Sequence, residues 1–211
     1  MNKIIFTVGI VALLVGMGVY INQTRHQGDI DSQLQQATYL YNQLKTIPEF
    51  QFTDHEGQPF TEQDLKGQWT LWFFGFTHCP DICPTTLSLL SAAVNQLEND
   101  HGVENVSIIF VSVDPERDTP EKMKAYVNAF NDKAIGISAY DQSLAPFLQN
   151  MGIIAVKQKQ NDLQKDYLVD HSSAIYLIAP DTGISALFNT PHRIDSITED
   201  MLVIQEHYPH S

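Results

Sequence analysis

The chain has 211 residues and sets 12 Lys and Arg against 25 Asp and Glu, a formal net charge of −13. That length fits one domain with an extension. So acidic a surface repels phosphate backbones, which excludes nucleic acid as an expected partner and favours a basic protein face or a cationic cargo.

The first element is Ile4 to Ile21, 18 positions without a charge. It falls within the roughly 17–25 residues that span a bilayer, beyond the core of a cleaved leader, and no small-x-small cleavage site follows. It reads as an uncleaved transmembrane helix, residues 1–22. Lys3 lies on its near side and Arg25 among Asp29 and Asp31 on its far side, a weak bias that places the bulk of the chain outside the cytoplasm. No Arg- and Ser-rich transit peptide precedes the run, so the expected location is a bacterial inner membrane with the remainder in the periplasm.

Residues 23–47 are polar and rich in Gln. Ile30, Leu34, Ala37, Tyr41 and Leu44 follow a heptad-like rhythm, which predicts a juxtamembrane helical stalk. The globular domain is expected over 48–211. It opens with a hairpin: Phe50 and Phe52 alternate with polar residues, Asp54 to Gln58 supplies turn chemistry, and Phe60 starts the return. Thr61 then caps a short helical turn that Gly67 ends.

Thr70 to Phe76 reads as a strand buried on both faces. A helix follows, with Pro84 suited to its first turn and Leu87, Leu90, Val94 and Leu97 forming one apolar stripe. Val106 to Val113 is a second buried strand, so strand, helix and strand make a right-handed βαβ unit. The loop Asp114 to Asp118 leaves it where open sheets place their sites. Thr119 and Pro120 start a helix that turns Met123, Tyr126, Val127 and Phe130 inward. A short strand at 135–139, a helix at 143–151, an exposed Lys-bearing loop or hairpin at 156–166, a strand at 172–179, its hairpin partner at 184–188 and a closing helix at 194–207 complete the order. This is the order of an α/β thioredoxin-like sandwich with an added N-terminal β-hairpin.

The only two cysteines, Cys79 and Cys83, sit at the junction of the central strand and its helix, one helical turn apart. A helix N-terminus stabilises a thiolate, so lowered thiol pKa values are expected. The pair can close a disulfide, structural or redox-active, or chelate one ion. In an oxidising compartment only a reductant or a metal keeps the pair from oxidation. His171, after the flexible loop, is the third candidate donor, with His78 as a substitute. Two sulfurs and an imidazole suit copper, whereas a structural zinc site calls for four ligands. Asp114 and Asp118 are expected to organise their own loop with Arg117, and Asp81 to cap the helix or tune the thiols.

Three stretches carry a family resemblance: Phe74-Gly75-Phe76-Thr77-His78-Cys79-Pro80-Asp81-Ile82-Cys83-Pro84, Val113-Asp114-Pro115-Glu116-Arg117-Asp118-Thr119-Pro120, and 166–172 running into Tyr176-Leu177-Ile178. Over residues 48 to 208 the chain resembles the Sco/SenC copper chaperones. The resemblance implies a thioredoxin-like fold holding one copper ion, Cu+ or Cu2+, through Cys79, Cys83 and His171, with Asp114 as the family's loop aspartate. It also implies delivery to the CuA site of cytochrome c oxidase, in subunit II, with periplasmic copper chaperones and thiol reductants as further partners. The expected role is therefore a metallochaperone rather than an enzyme. Two other readings use the same atoms: a thiol–disulfide oxidoreductase that reduces the CuA cysteines, with Cys79 attacking and Cys83 resolving, and a redox or copper sensor.

Overall fold

The computed structural model describes residue 8 and residues 13–20, 30–40, 45–159 and 166–208. In chain order the strands are β1 (Ala37–Tyr39), β2 (Gln51–Asp54), β3 (Pro59–Thr61), β4 (Trp69–Gly75), β5 (Val106–Ser112), β6 (Ile135–Ser138), β7 (Ala155–Gln158), β8 (Leu168–His171), β9 (Ile175–Ile178) and β10 (Ile184–Phe188). The helices are α1 (Ile82–His101), α2 (Pro120–Asn128), α3 (Leu144–Met151) and α4 (Ile194–His207).

Eight strands form one mixed sheet in the order β1-β10-β9-β4-β5-β6-β2-β3. Central β4 runs parallel to β5, with Gly75 opposite Ser112, and antiparallel to β9. Alternation along β4 divides its side chains between two cores. Leu71 and Phe73 face α1 and α4, among Leu87, Leu90, Leu97, Phe110, Ile197 and Met201. Trp72 and Phe74, with Phe76 beyond the strand, face α3, among Phe50, Phe52 and Phe147. Both faces are covered, which is why the run from 71 to 74 lacks a polar residue. The α1 stripe is buried as its spacing predicts, and Gly102, with φ 66°, ends the helix in the left-handed region. Thr119 caps α2, with Pro120 in its first turn.

The hairpin β2–β3 pairs onto β6 and extends the sheet, as the alternation of Phe50, Phe52 and Phe60 implies. Thr61 and Asp64 form a reciprocal capping box at the short helical turn that follows. The polar stretch after α3 is a separate two-stranded ribbon, β7 against β8, with Ala155 opposite His171. His171 therefore ends a ribbon strand instead of starting the next strand of the sheet, which begins only at Ile175.

One N-terminal expectation changes. The helical stalk does not run on through the described part of 23–47: residues 30–33 are helical, but Ala37–Tyr39 is an edge strand antiparallel to β10. Ile30 and Tyr39 are 2% and 4% exposed in the core against α1 and α4. The buried carboxylate of Asp200 accepts the backbone N–H groups of Gln35, Gln36 and Ala37 and pins the segment down. A polar, Gln-rich composition conceals this because its contacts are mostly backbone. Tyr41 and Leu44 lie outside the described residues. The expected transmembrane helix also lies largely outside them. Residues 13–20 are helical with exposed apolar side chains, and among the described residues no helix is long and apolar enough to cross a membrane.

Candidate metal centre

The site is built where β4 hands over to α1. Beyond Gly75 the chain turns, and the Cys79 N–H closes that turn on the Phe76 carbonyl at 3.1 Å. The turn is tied sideways to the loop after β5. Thr77 donates its N–H and its hydroxyl to the Asp118 carboxylate at 2.9 and 2.6 Å, and Ser112 donates its hydroxyl to the same group at 2.6 Å. Asp118 is fully buried, so this is a desolvated, hydrogen-bonded anchor. Helix α1 then carries Cys83 in its first turn, fully buried, while Cys79 stays partly exposed. Asp81 occupies the N-cap position without a side-chain capping bond.

Gly75 makes room for the inner sulfur. A Cβ there would lie 2.8 Å from Cys83 Sγ and 2.9 Å from Phe110 Cε2. A glycine inside an otherwise aromatic buried strand is the sequence signal for such an approach, one that hydrophobic spacing alone does not carry.

His171 arrives from the far side on β8. Its Nε2 lies 3.5 Å from Cys83 Sγ, and its Nδ1 lies 3.0 Å from the Ser172 carbonyl. A carbonyl only accepts, so Nδ1 carries the proton and the lone pair of Nε2 faces the sulfur. Phe73 and Phe76 flank the ring edge-on, with centroids at 6.1 and 5.9 Å. One donor atom from each of Cys79, Cys83 and His171 falls within 4.8 Å of the others, the group among the described residues arranged to hold a cation. Two residues expected from one turn and one from a distant segment thus converge.

His78 stays outside the cluster. Its Nδ1 contacts the Thr77 hydroxyl at 3.1 Å and lies 3.5 Å from Asp118. His55, His192 and His207 are engaged with backbone groups, in line with ordinary hydrogen-bonding roles.

The electrostatics differ from expectation at Cys83. Burial pushes its thiol well above the ordinary range, and the neighbouring Cys79 and Asp118 add to the rise. Desolvation outweighs the lowering effect of a backbone hydrogen bond from Phe76, because the sulfur is buried in the core. The inner cysteine is a thiol, and a cation must displace its proton on binding. Burial pushes His171 the other way, below its ordinary value, against smaller opposing effects of the Ser172 carbonyl and Asp170. Its neutral form is the ligating form. Two sulfurs and one neutral imidazole, with Cys79 open to solvent, make a three-donor site for a soft or borderline cation that can enter and leave from one side.

The loop after β5 does more than sequence reasoning foresaw. Asp114 is fully buried and accepts from Arg117 Nε and from the Tyr167 hydroxyl at 2.7 Å. Lys157 Nζ, on β7, lies 3.4 Å from the same carboxylate. Lys157 and Lys159 also pair with Glu116 at 2.8 and 2.7 Å. The lysines look like solvated loop charges in the sequence, and only the pairing of β7 with β8 turns them toward this loop.

A family model described as SCO1/SenC matches residues 39–205. The chain belongs to the SCO1/SenC family. It is 37% identical over 153 residues to "Protein SCO1 homolog 1, mitochondrial" of Arabidopsis thaliana, covering 72% of this chain and 45% of that protein. It is likewise 37% identical over 153 residues to "Protein SCO2 homolog, mitochondrial" of Bos taurus, covering 72% of this chain and 57% of that one. The match therefore spans about half the length of these relatives. Among solved structures, Arabidopsis thaliana ScoI with copper bound superimposes with a TM-score of 0.73 at 35% identity, covering 78% of this chain and all of that one. The thioredoxin-like α/β fold expected from the order of elements is thus shared with Sco structures.

Proposed function

We propose that this SCO1/SenC protein binds one copper ion through Cys79, Cys83 and His171 and hands it to a thiol-bearing recipient, the CuA site in subunit II of cytochrome c oxidase. The observation that carries this reading is the convergence of two sulfurs and the lone pair of a neutral imidazole within 4.8 Å. Copper is favoured by the softness of that set, and the copper-bound relative supports it. Burial of Cys83 holds the inner sulfur fixed, whereas Cys79 faces the side from which a recipient approaches. Transfer proceeds by ligand exchange: a recipient sulfur bonds the ion as a donor of this chain leaves. The apolar run Ile4 to Ile21 tethers the domain to the inner membrane, facing the periplasm.

Metal analysis of the reduced full chain tests this. One copper per chain and thiolate-to-Cu(II) charge transfer in the visible spectrum are expected, both lost in Cys79→Ser and Cys83→Ser. His171→Ala abolishes tight binding yet retains thiol exchange. Unchanged copper affinity in that variant removes His171 from the ligand set.

A second reading is favoured by the unequal exposure of the two free thiols. A partly exposed Cys79 attacking a recipient disulfide and a buried Cys83 resolving it describe a thiol–disulfide oxidoreductase. His171→Ala separates the two, since reduction of a disulfide does not need the imidazole.

A further inference from the structure

The loop Asp114–Asp118 holds both halves of the donor set, through ends of different character. Asp118, itself fully buried, secures the cysteine turn by accepting from the Thr77 N–H and hydroxyl. Asp114 secures the ribbon that carries His171, through the Tyr167 hydroxyl immediately before β8 and through Lys157 on β7. Arg117 ties these contacts to the ligand itself. Its guanidinium lies 3.6 Å from the centroid of the Tyr167 ring and 5.5 Å from that of Phe76, and Phe76 packs against His171. The ribbon end continues outward into the partly exposed pairs of Glu116 with Lys157 and Lys159.

A two-stranded ribbon is marginal by itself and depends on what it docks against. Tyr167 and Val169 give this one an apolar foothold. The pairs of Lys157 and Lys159 with Glu116 are ionic and partly open to water, so salt screens them, whereas the Tyr167–Asp114 bond and the Asp118 carboxylate are buried and protected from screening. The fold therefore places the imidazole on a ribbon that is held in part by contacts salt can weaken.

We propose that Asp114, Tyr167 and Lys157 are positioning residues that latch the β7–β8 ribbon and keep His171 against Cys83, so that the strength of the latch sets how fast the imidazole leaves the metal during hand-over. The step breaks one nitrogen–metal bond and makes one bond from the metal to a recipient sulfur, and no electron moves. In its consequence for metal release the inference rests on the copper reading; in its consequence for the ribbon it does not.

The test uses the full chain with Tyr167→Phe, which removes one hydroxyl and keeps the ring under Arg117, and with Lys157→Met. Amide hydrogen exchange is followed in the metal-free protein at 155–158 and 168–171, with β5 and α1 as internal controls. Copper release to an excess of competing chelator is followed in the loaded protein. In both variants ribbon exchange and copper release are expected to quicken about tenfold, the scale of one charge-assisted hydrogen bond, with the controls unmoved. High salt brings the wild type toward Lys157→Met. Unchanged ribbon exchange in both variants overturns the latch, and so does an equal rise in the controls, which signals global loosening. Faster ribbon exchange without any copper binding leaves the latch standing and removes the copper reading.

Discussion

Gly75→Ala adds a single methyl group at the closest approach in the site. The new Cβ falls 2.8 Å from Cys83 Sγ, 2.9 Å from Phe110 Cε2 and 3.2 Å from Phe73 Cε1, all below the 3.4 Å at which ordinary contact begins. Phe73 and Phe110 are fully buried, so their rings can recede only slightly. The sulfur, at the end of a short side chain, is the atom that gives way, by about half an ångström or more. Overpacking of this kind costs about 1–3 kcal/mol of stability. The displacement also carries Sγ off the position from which it meets His171 Nε2. Copper affinity is expected to fall at least about tenfold, since supporting residues at metal sites are worth roughly 10–100-fold. Competition against a chelator of known affinity and thermal unfolding of the metal-free protein, run side by side, measure the two losses. Wild-type copper affinity in Gly75→Ala refutes the claim that this glycine seats the inner ligand, and wild-type Tm refutes the packing argument behind it.

Asp200→Ala removes the acceptor for three backbone N–H groups at Gln35, Gln36 and Ala37. A loss of about 3 kcal/mol, roughly 6–12 °C in Tm, is expected, with residues 30–40 becoming the first site of limited proteolysis. Glu116 gives a pH dependence. Hydrogen bonds from Lys157 and then Lys159 lower its carboxyl from 4.5 to about 2. The folded value lies below the unfolded one, so its contribution to ribbon docking is complete above about pH 4.5 and lost as pH falls toward 2. Protection of the ribbon amides, relative to their intrinsic exchange rates, should fall across that window, and Glu116→Gln should flatten the change; an identical profile in the variant excludes Glu116 as its source.

The parts of the fold that were legible in the sequence are those set by periodicity and local chemistry. The β4–α1–β5 unit follows from two apolar runs flanking one helical stripe, and α2 from Thr119 and Pro120. Cys79 and Cys83 announce themselves by rarity and spacing. His171 was legible as a donor, but its carrier was not. Nothing in the composition of 155–171 distinguishes a ribbon paired on itself from a loop leading into the sheet. The fate of residues 30–40 was hidden for a related reason. Edge pairing with β10 and capture by Asp200 are long-range backbone contacts, and a short heptad-like stripe carries no record of them. The raised pKa of Cys83 escaped because a helix N-terminus is local, whereas burial is decided by which way the sulfur points once Gly75 has left room for it.

X-ray absorption spectroscopy at the copper edge, on the loaded full chain and on His171→Ala, tests the central claim most directly. Two sulfur neighbours and one imidazole nitrogen are predicted for the wild type, with the nitrogen shell absent from the variant. A wild-type spectrum of sulfur alone, or a nitrogen shell that survives the loss of His171, contradicts the three-donor site.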